Sequence, residues 1–207
     1  MKYIPGIRGL FLRSACVVLA ALTGMPCIAA QEQPAWVEQL PVKLSEADIA
    51  RFTAFDENRQ SAVAEALGTD SPADRAGLQR VLAGEPQPIG EKDLLGEWRC
   101  RTLKLGGILP LVIYNSFKCR IFQESGVLVL QKTSGSQRTR GALYRIAADR
   151  FAYVGAGSLN DDPPAKYGDN AEEDEVALLA KAAPKRLRLE FPAPHRESHF
   201  DIIELVR

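Results

Sequence analysis

The chain has 207 residues, of which 46% are hydrophobic, and its 26 basic residues balance its 26 acidic ones. That composition excludes a disordered chain, and the length allows one domain or one domain with an appendage. A balanced charge also excludes a general binder of polyanions, so no nucleic-acid partner is expected.

Residues 1–30 read as a cleaved secretory leader. Lys2, Arg8 and Arg13 precede the short apolar run from Ala15 to Leu22, and Ile28-Ala29-Ala30 places small residues before Gln31. The run is far short of the roughly 20 apolar residues that span a bilayer, which argues against a membrane anchor. A lipid on Cys27 is disfavoured by the preceding Gly24-Met25-Pro26. Cleavage near Ala30 would leave a mature chain in the periplasm or outside the cell, with no transmembrane segment. The leader holds three of the basic residues and none of the acidic ones, so 23 basic residues face 26 acidic ones in the mature chain, a net charge of about −3. Cys16 and Cys27 leave with it. The remaining pair, Cys100 and Cys119, is expected to form a structural disulfide in an oxidising compartment, and closing a loop of about 20 residues is worth roughly 3 kcal/mol.

The mature chain divides into an N-terminal segment with a helical pair (31–90) and an antiparallel barrel-like domain (91–207). From Gln31 to Leu44 it is broken by prolines, with Trp36, Val37 and Leu40 as anchors. Ser45, with Asp48 three residues on, opens a helix that Gly68 closes, with Ile49, Phe52, Phe55, Ala62, Val63 and Ala66 at helical spacing. Ser71-Pro72 starts a second helix that stops at Gly84. The stretch Gly84 to Gly90, with two prolines, is a linker.

After Leu95 the hydrophobic period changes from 3.6 to 2. Strands are expected at 97–105, 112–122, 126–132, 138–146, 150–155, 185–191 and 199–206, with a strand or short helix near 176–182. Seven or eight short strands joined by Gly-containing turns predict a mainly β fold with N-terminal helices (α+β), an antiparallel barrel or sandwich. Val127 to Leu130 and Phe200 to Leu205 are apolar on both faces, so something must cover them, and the helices are the available cover. The connection from Gly157 to Glu175 is long and acidic and reads as a solvated loop rather than a calcium loop.

A hairpin from Trp98 to Phe122, turning through Gly106, Gly107 and Pro110, is central. With Cys100 opposite Cys119, Trp98 would face Ile121 and Thr102 would face Phe117. The outer face would then set Arg99 against Arg120 and Arg101 against Lys118, and like charges so placed need compensation. Water, neighbouring carboxylates or the acidic loop would supply it, or else Arg99, Arg101, Lys118 and Arg120, extended by Gln137 and Arg138, form a site for a phosphate or carboxylate. The tip from Ile108 to Ile113 is too apolar for a free loop, and is expected to pack under the helices or against the next strand, with a barrel-mouth lip that gates an apolar ligand and a contact surface for a membrane or partner as the alternatives.

Other chemistry has less support. His195, Glu197, His199 and Asp201 alternate and would share one face of an extended segment, but the prolines nearby make a metal site unexpected. Ser136 lacks a nucleophile elbow and no Gly-rich phosphate loop precedes a helix, so no catalytic residue and no cofactor are assigned.

Trp98-Arg99-Cys100-Arg101, Leu105-Gly106-Gly107, Phe117-Lys118-Cys119-Arg120, Gly135-Ser136-Gln137-Arg138, Tyr167-Gly168 and Glu197-Ser198 to Asp201 together resemble a family of secreted bacterial proteins, domain of unknown function 4893, over roughly Trp36 to Val206. The resemblance implies an envelope location and brings no catalytic residues with it. Gly96-Glu97-Trp98, with Arg207 at the end of the last strand, also resembles the lipocalin-type barrel signature, in which a first-strand Trp packs on a basic residue. The reading that results is a non-enzymatic envelope protein holding a small apolar or amphipathic anionic ligand in the barrel. An envelope protein-interaction or inhibitor module with a filled barrel is the alternative, and a hydrolase comes third.

Overall fold

Eight strands close into an antiparallel barrel in the computed structural model, which describes residues 32–160 and 162–207. The leader assigned to residues 1–30 lies outside the described residues. The chain first lays a short 3-10 turn, Ala35–Gln39, along the surface. Four helices follow, α1 (Glu46–Thr53), α2 (Phe55–Leu67), α3 (Pro72–Leu82) and α4 (Glu91–Leu94). Then come β1 (Gly96–Leu105), β2 (Leu111–Ile113), β3 (Phe117–Glu124), β4 (Val127–Lys132), β5 (Gln137–Ala147), β6 (Arg150–Leu159), β7 (Asp174–Ala183), β8 (Arg186–Pro192) and β9 (Phe200–Val206). Neighbours in the chain are neighbours in the sheet from β3 to β9, and β9 pairs back onto β1, so the barrel has no long free edge.

The caps are where the sequence places them. The Ser45 hydroxyl accepts from Asp48 N at 3.1 Å and the Ser71 hydroxyl from Asp74 N at 3.2 Å. The expected single helix from Ser45 to Gly68 is two, because the chain turns at Ala54. Just before it, Thr53 Oγ1 donates to the Ile49 carbonyl at 2.8 Å, a back-bond that bends helices. α4, between the linker and β1, was not foreseen. It is held by its own Asp93, whose carboxylate accepts from Gly90 N at 2.9 Å and pairs with Lys181 at 3.2 Å.

Alternation along the strands builds two apolar layers. Trp98, Ile121, Leu130, Tyr153, Leu179, Leu189 and Leu205 point inward and fill the barrel. Leu103, Leu105, Val154, Leu178, Phe200 and Ile202 point outward and join Phe52, Phe55, Ala62, Ala66, Leu78 and Val81 of the helices. The two-faced apolar pattern of β9 therefore has its predicted cause, the helices lying on its outer side. β4 has a different cover. Val129 is buried in a groove shared with Val42, Tyr144, Val154 and Tyr167, and Val127 remains partly exposed.

The central hairpin is built differently from expectation. The strand expected at 112–122 is two strands, β2 on the C-terminal half of β1 and β3 on its N-terminal half, separated by Tyr114, Asn115 and Ser116. Cys100 does not face Cys119; it faces Phe117, while Trp98 faces Cys119 and Thr102 faces Ile203 of β9. The disulfide is diagonal, with its Cα atoms 5.8 Å apart, and still points into the core, because a shift of two residues preserves the face. The shift re-pairs the outer cations: Arg99 is opposite Lys118, Arg120 opposite Glu97, and Arg101 opposite Glu204.

The two ends of the barrel are unlike. At one end the strands join through tight turns at 125–126, 148–149 and 184–185, and α4 closes the opening. Trp98 Nε1 donates to the Leu94 carbonyl at 2.8 Å, and the Arg207 guanidinium lies 3.7 Å over the Trp98 ring while donating to the carbonyls of Leu94 and Leu95, each at 2.8 Å. This is the first-strand Trp and last-strand base pairing expected of a lipocalin-type barrel. At the other end, the mouth, residues 106–110, 133–136, 162–173 and 193–199 form the rim.

Candidate functional site

Inward-facing side chains change character toward the mouth. There β1 contributes Lys104, β4 Lys132, β5 Gln137 and Thr139, β7 Glu175 and β9 Asp201. Lys104, Lys132 and Thr139 are buried. Lys104, Gln137, Glu175 and Asp201, with Gly157, Glu173 and Phe191, line a chamber of about 60 Å³. On the scale of about one water per 10–15 Å³ of such space, it holds a few waters or one small polar group. The remainder of the interior is occupied by the apolar core.

Two motifs face each other across the mouth. On one side Lys104 Nζ pairs with Glu197 Oε2 at 3.2 Å and Asp201 Oδ2 at 3.4 Å, and the Ser198 hydroxyl donates to Asp201 Oδ1 at 2.5 Å. Burial raises the Asp201 carboxyl despite Lys104, and the Lys104 contact lowers Glu197. On the other side Thr139 Oγ1 lies against both the Tyr153 hydroxyl and Glu175 Oε2. Since the Thr hydroxyl has one proton, an ionised Glu175 orders a chain in which Tyr153 donates to Thr139 and Thr139 to Glu175. The Tyr153 ring fits because Gly141 and Gly155 face each other beneath it; a Cβ at Gly141 would stand 2.6 Å from the ring. Among the described residues Glu175 has no basic partner in direct contact, and burial pushes its carboxyl up to about 7. Lys132 donates to the Gln137 carbonyl and sits 4.2 Å over the Phe117 ring, and burial pulls its ammonium down to about 8.

A clamp ties the rim to the helices. Asp48 of α1, itself buried, accepts from the Tyr167 hydroxyl at 2.5 Å and from Arg51 at 2.9 Å. Arg51 reaches on to the Asp174 carbonyl at 3.2 Å and to the His195 ring at 2.6 Å. Burial and the hydrogen bond to Asp48 push the Tyr167 hydroxyl up to about 12.

Of the six residues expected to bind an anion, only Gln137 and Arg138 line the mouth. Arg101 is paired with Glu204 at 2.7 Å, Arg120 donates to Gln131 at 2.8 Å, and Arg99 and Lys118 stand on the outer wall with no side-chain partner among the described residues. The acidic loop does not neutralise them, and Glu173 pairs with Arg196 of the rim instead. His195, Glu197, His199 and Asp201 do not share a face. Positive φ at Ala193 and Glu197 breaks the extended run, sending His195 to Arg51 and His199 to Glu65 of α2, while Glu197 and Asp201 meet at Lys104. Among the described residues, no group of three or more His, Cys, Asp or Glu is placed to hold a metal. Ser136 is exposed and partners neither histidine. The apolar tip divides. Leu111 is buried and Ile113 packs toward Gly77 of α3, but Ile108 is 79% exposed and Leu109 55%.

Lys104, Lys132 and Glu175 were missed. Their signal was present, as charged residues at inward positions of strands otherwise apolar on that face, yet it is legible only once the register is known. No helix among the described residues is long and apolar enough to cross a membrane.

No curated protein matches the chain in sequence. Among solved structures, it is similar to a redesigned β-barrel, at 9% identity over 59% of this chain and 98% of that one, with a TM-score of 0.38. It is also similar to a protein with unknown function from the DUF3598 family of Nostoc punctiforme, at 16% identity over 60% of this chain and 50% of that one, with a TM-score of 0.37. The model of domain of unknown function 4893 matches residues 41–205, which takes in the helices, the disulfide hairpin and every wall of the mouth, and the chain belongs to that family, DUF4893.

Proposed function

We propose that the protein is an envelope binding protein, without catalytic activity, whose barrel mouth receives the anionic end of a small amphipathic ligand. One observation carries this reading: an otherwise filled barrel keeps a solvent-connected chamber at one end, lined by side chains that both donate and accept hydrogen bonds. Lys104 and Gln137 line the chamber as donors, and Glu175 becomes a third when protonated. The exposed Ile108 and Leu109 are next to the rim, where Ile108 N donates to the Glu197 carbonyl at 3.2 Å, and supply an apolar contact for the remainder of the ligand. Removal of a leader ending near Ala30 would deliver the chain to the periplasm or the exterior, which suits its Cys100–Cys119 disulfide.

Native mass spectrometry of the protein purified from its own envelope tests both parts. The expected result is an intact mass beginning at Gln31 and a small bound acid. Its affinity should fall as pH rises through about 7, where Glu175 ionises beside it. A protein that emerges bare and binds no small carboxylate or phosphate at the mouth overturns the reading. The same exposed tip favours a second reading, docking of an envelope protein. Ile108→Ser with Leu109→Ser would then abolish capture of that partner while leaving the fold and the chamber unchanged.

A further inference from the structure

A second polar cleft lies on the opposite side of the β wall, outside the barrel, where α2 and the end of α3 meet β6, β7 and β8. It measures about 280 Å³ and is floored by Leu178 and Ala180. The register explains how it arises. Ala180 of β7 pairs with Arg150 of β6 on one side and with Arg188 of β8 on the other, so the two arginines flank a methyl-sized side chain in one outward-facing row. Adjacent strands are about 4.8 Å apart, which puts their Cα atoms roughly 10 Å from each other, within joint reach of one ligand above Ala180. Arg59 of α2 closes the third side.

These arginines are incompletely neutralised. Glu190, the one carboxylate buried in the cleft, is shared between Arg59 at 3.2 Å and Arg188 at 3.6 Å. Arg188 is 4% exposed; its Nη1 is spent on the carbonyls of Val81, Leu82 and Gly84 at the end of α3, and its buried Nε has the Glu190 carboxylate at 3.6 Å, beyond hydrogen-bond distance, and no hydrogen-bond acceptor. Arg150 is half-buried, and its side chain makes no hydrogen bond or ion pair among the described residues. Burial, together with Arg59, Arg186 and Arg150, holds Arg188 below the ordinary arginine range against the pull of Glu190. An orphaned buried donor and an unpaired half-buried guanidinium facing one cleft are costly features unless an acceptor arrives from outside.

We infer that this cleft binds a small phosphate-bearing molecule, held by Arg150, Arg59 and the Nε of Arg188. Phosphate is preferred over carboxylate because guanidinium groups converge from three elements, more donors than the two oxygens of one carboxylate accept well. The exposed Asp56 and Glu85 at the rim limit the ligand to a small anion and turn away a polyanion.

The test is thermal unfolding of the purified protein titrated with inorganic phosphate, against sodium chloride at matched ionic strength, with phosphorus NMR line broadening as an independent reading. Wild type should show a saturable rise in Tm with phosphate. Arg150→Gln should bind phosphate about tenfold more weakly, with Tm in its absence unchanged, since Arg150 has no protein partner to lose. Arg59→Gln should weaken binding as well. Vesicles of phosphatidylglycerol, compared with phosphatidylcholine, distinguish sources: Arg150-dependent capture of the former would assign the phosphate to a lipid headgroup. Absence of a saturable phosphate response, or an equal response in wild type and Arg150→Gln, overturns the inference.

Discussion

The closed end and the mouth of this barrel are built from the same strands and spend their free energy differently. At the closed end, tight turns, α4 and the stacked pair Trp98–Arg207 bury apolar surface, and Trp98 Nε1 and the Arg207 guanidinium are both hydrogen-bonded to α4. At the mouth, longer loops surround the buried Lys132 and the Glu175 carboxyl, which has no basic contact partner among the described residues, each displaced toward its neutral form by desolvation. Burial at the first end maximises stability. Burial at the second costs stability and leaves a chamber, which is the pattern expected where a ligand has to be received.

Four measurements break or sharpen that contrast. The largest effect is expected for Trp98→Ala, which empties the closed end and should cost about 3–5 kcal/mol in denaturant unfolding, while a ligand at the mouth binds the remaining folded protein as before. A loss below about 1 kcal/mol would mean that the closed end is not the stabilising one. Replacing Cys100 and Cys119 together by serine should cost about 3 kcal/mol by releasing the loop between them, read from the same denaturation curves.

Glu175 supplies the test at the mouth. Its folded value, about 7, is above its ordinary value of 4.5, so the folded protein holds a proton that the unfolded chain has released between those limits. Stability should therefore fall as pH rises from about 4.5 to 7 and be level above, by at most roughly 3 kcal/mol, less where water in the chamber screens the charge. Glu175→Gln should flatten that slope, and a slope that persists unchanged in the variant would show that another group is responsible. The smallest effect belongs to the outer wall. Arg99→Ala and Lys118→Ala, removing cations without side-chain partners, should each stay within about 0.5 kcal/mol of wild type and leave ligand binding intact, which confines function to the mouth and the arginine cleft.

Most of the fold was legible residue by residue. Ser45 and Ser71 announced helix starts because an N-cap is a local hydrogen bond, and the strands announced themselves because alternation is a local pattern. The pairing of Trp98 with Arg207 was expected only through the resemblance to a lipocalin-type barrel signature, and the pairing of β1 with β9 is what brings the two together. The site was less legible. Gln137 and Arg138 were named and do line the mouth, but for a reason unconnected with the hairpin cations they were grouped with.

What the sequence determined by itself was thus the class of the protein: helices before strands, a disulfide, both faces of β9 buried, and one face of each strand turned inward. What only the tertiary structure decided was which residues meet. A break at Tyr114 to Ser116 moved β3 by two positions, which kept every side chain on its own face while giving each a new neighbour. Lys104 and Glu175 lie 71 residues apart in the chain and share a chamber only because the barrel closes, with four strands, β3 to β6, between them on one side and two, β8 and β9, on the other, where Asp201 of β9 stands beside Lys104. Local propensities specify elements, whereas a site assembled across a closed barrel depends on register and closure, and those are settled by packing among residues far apart in sequence.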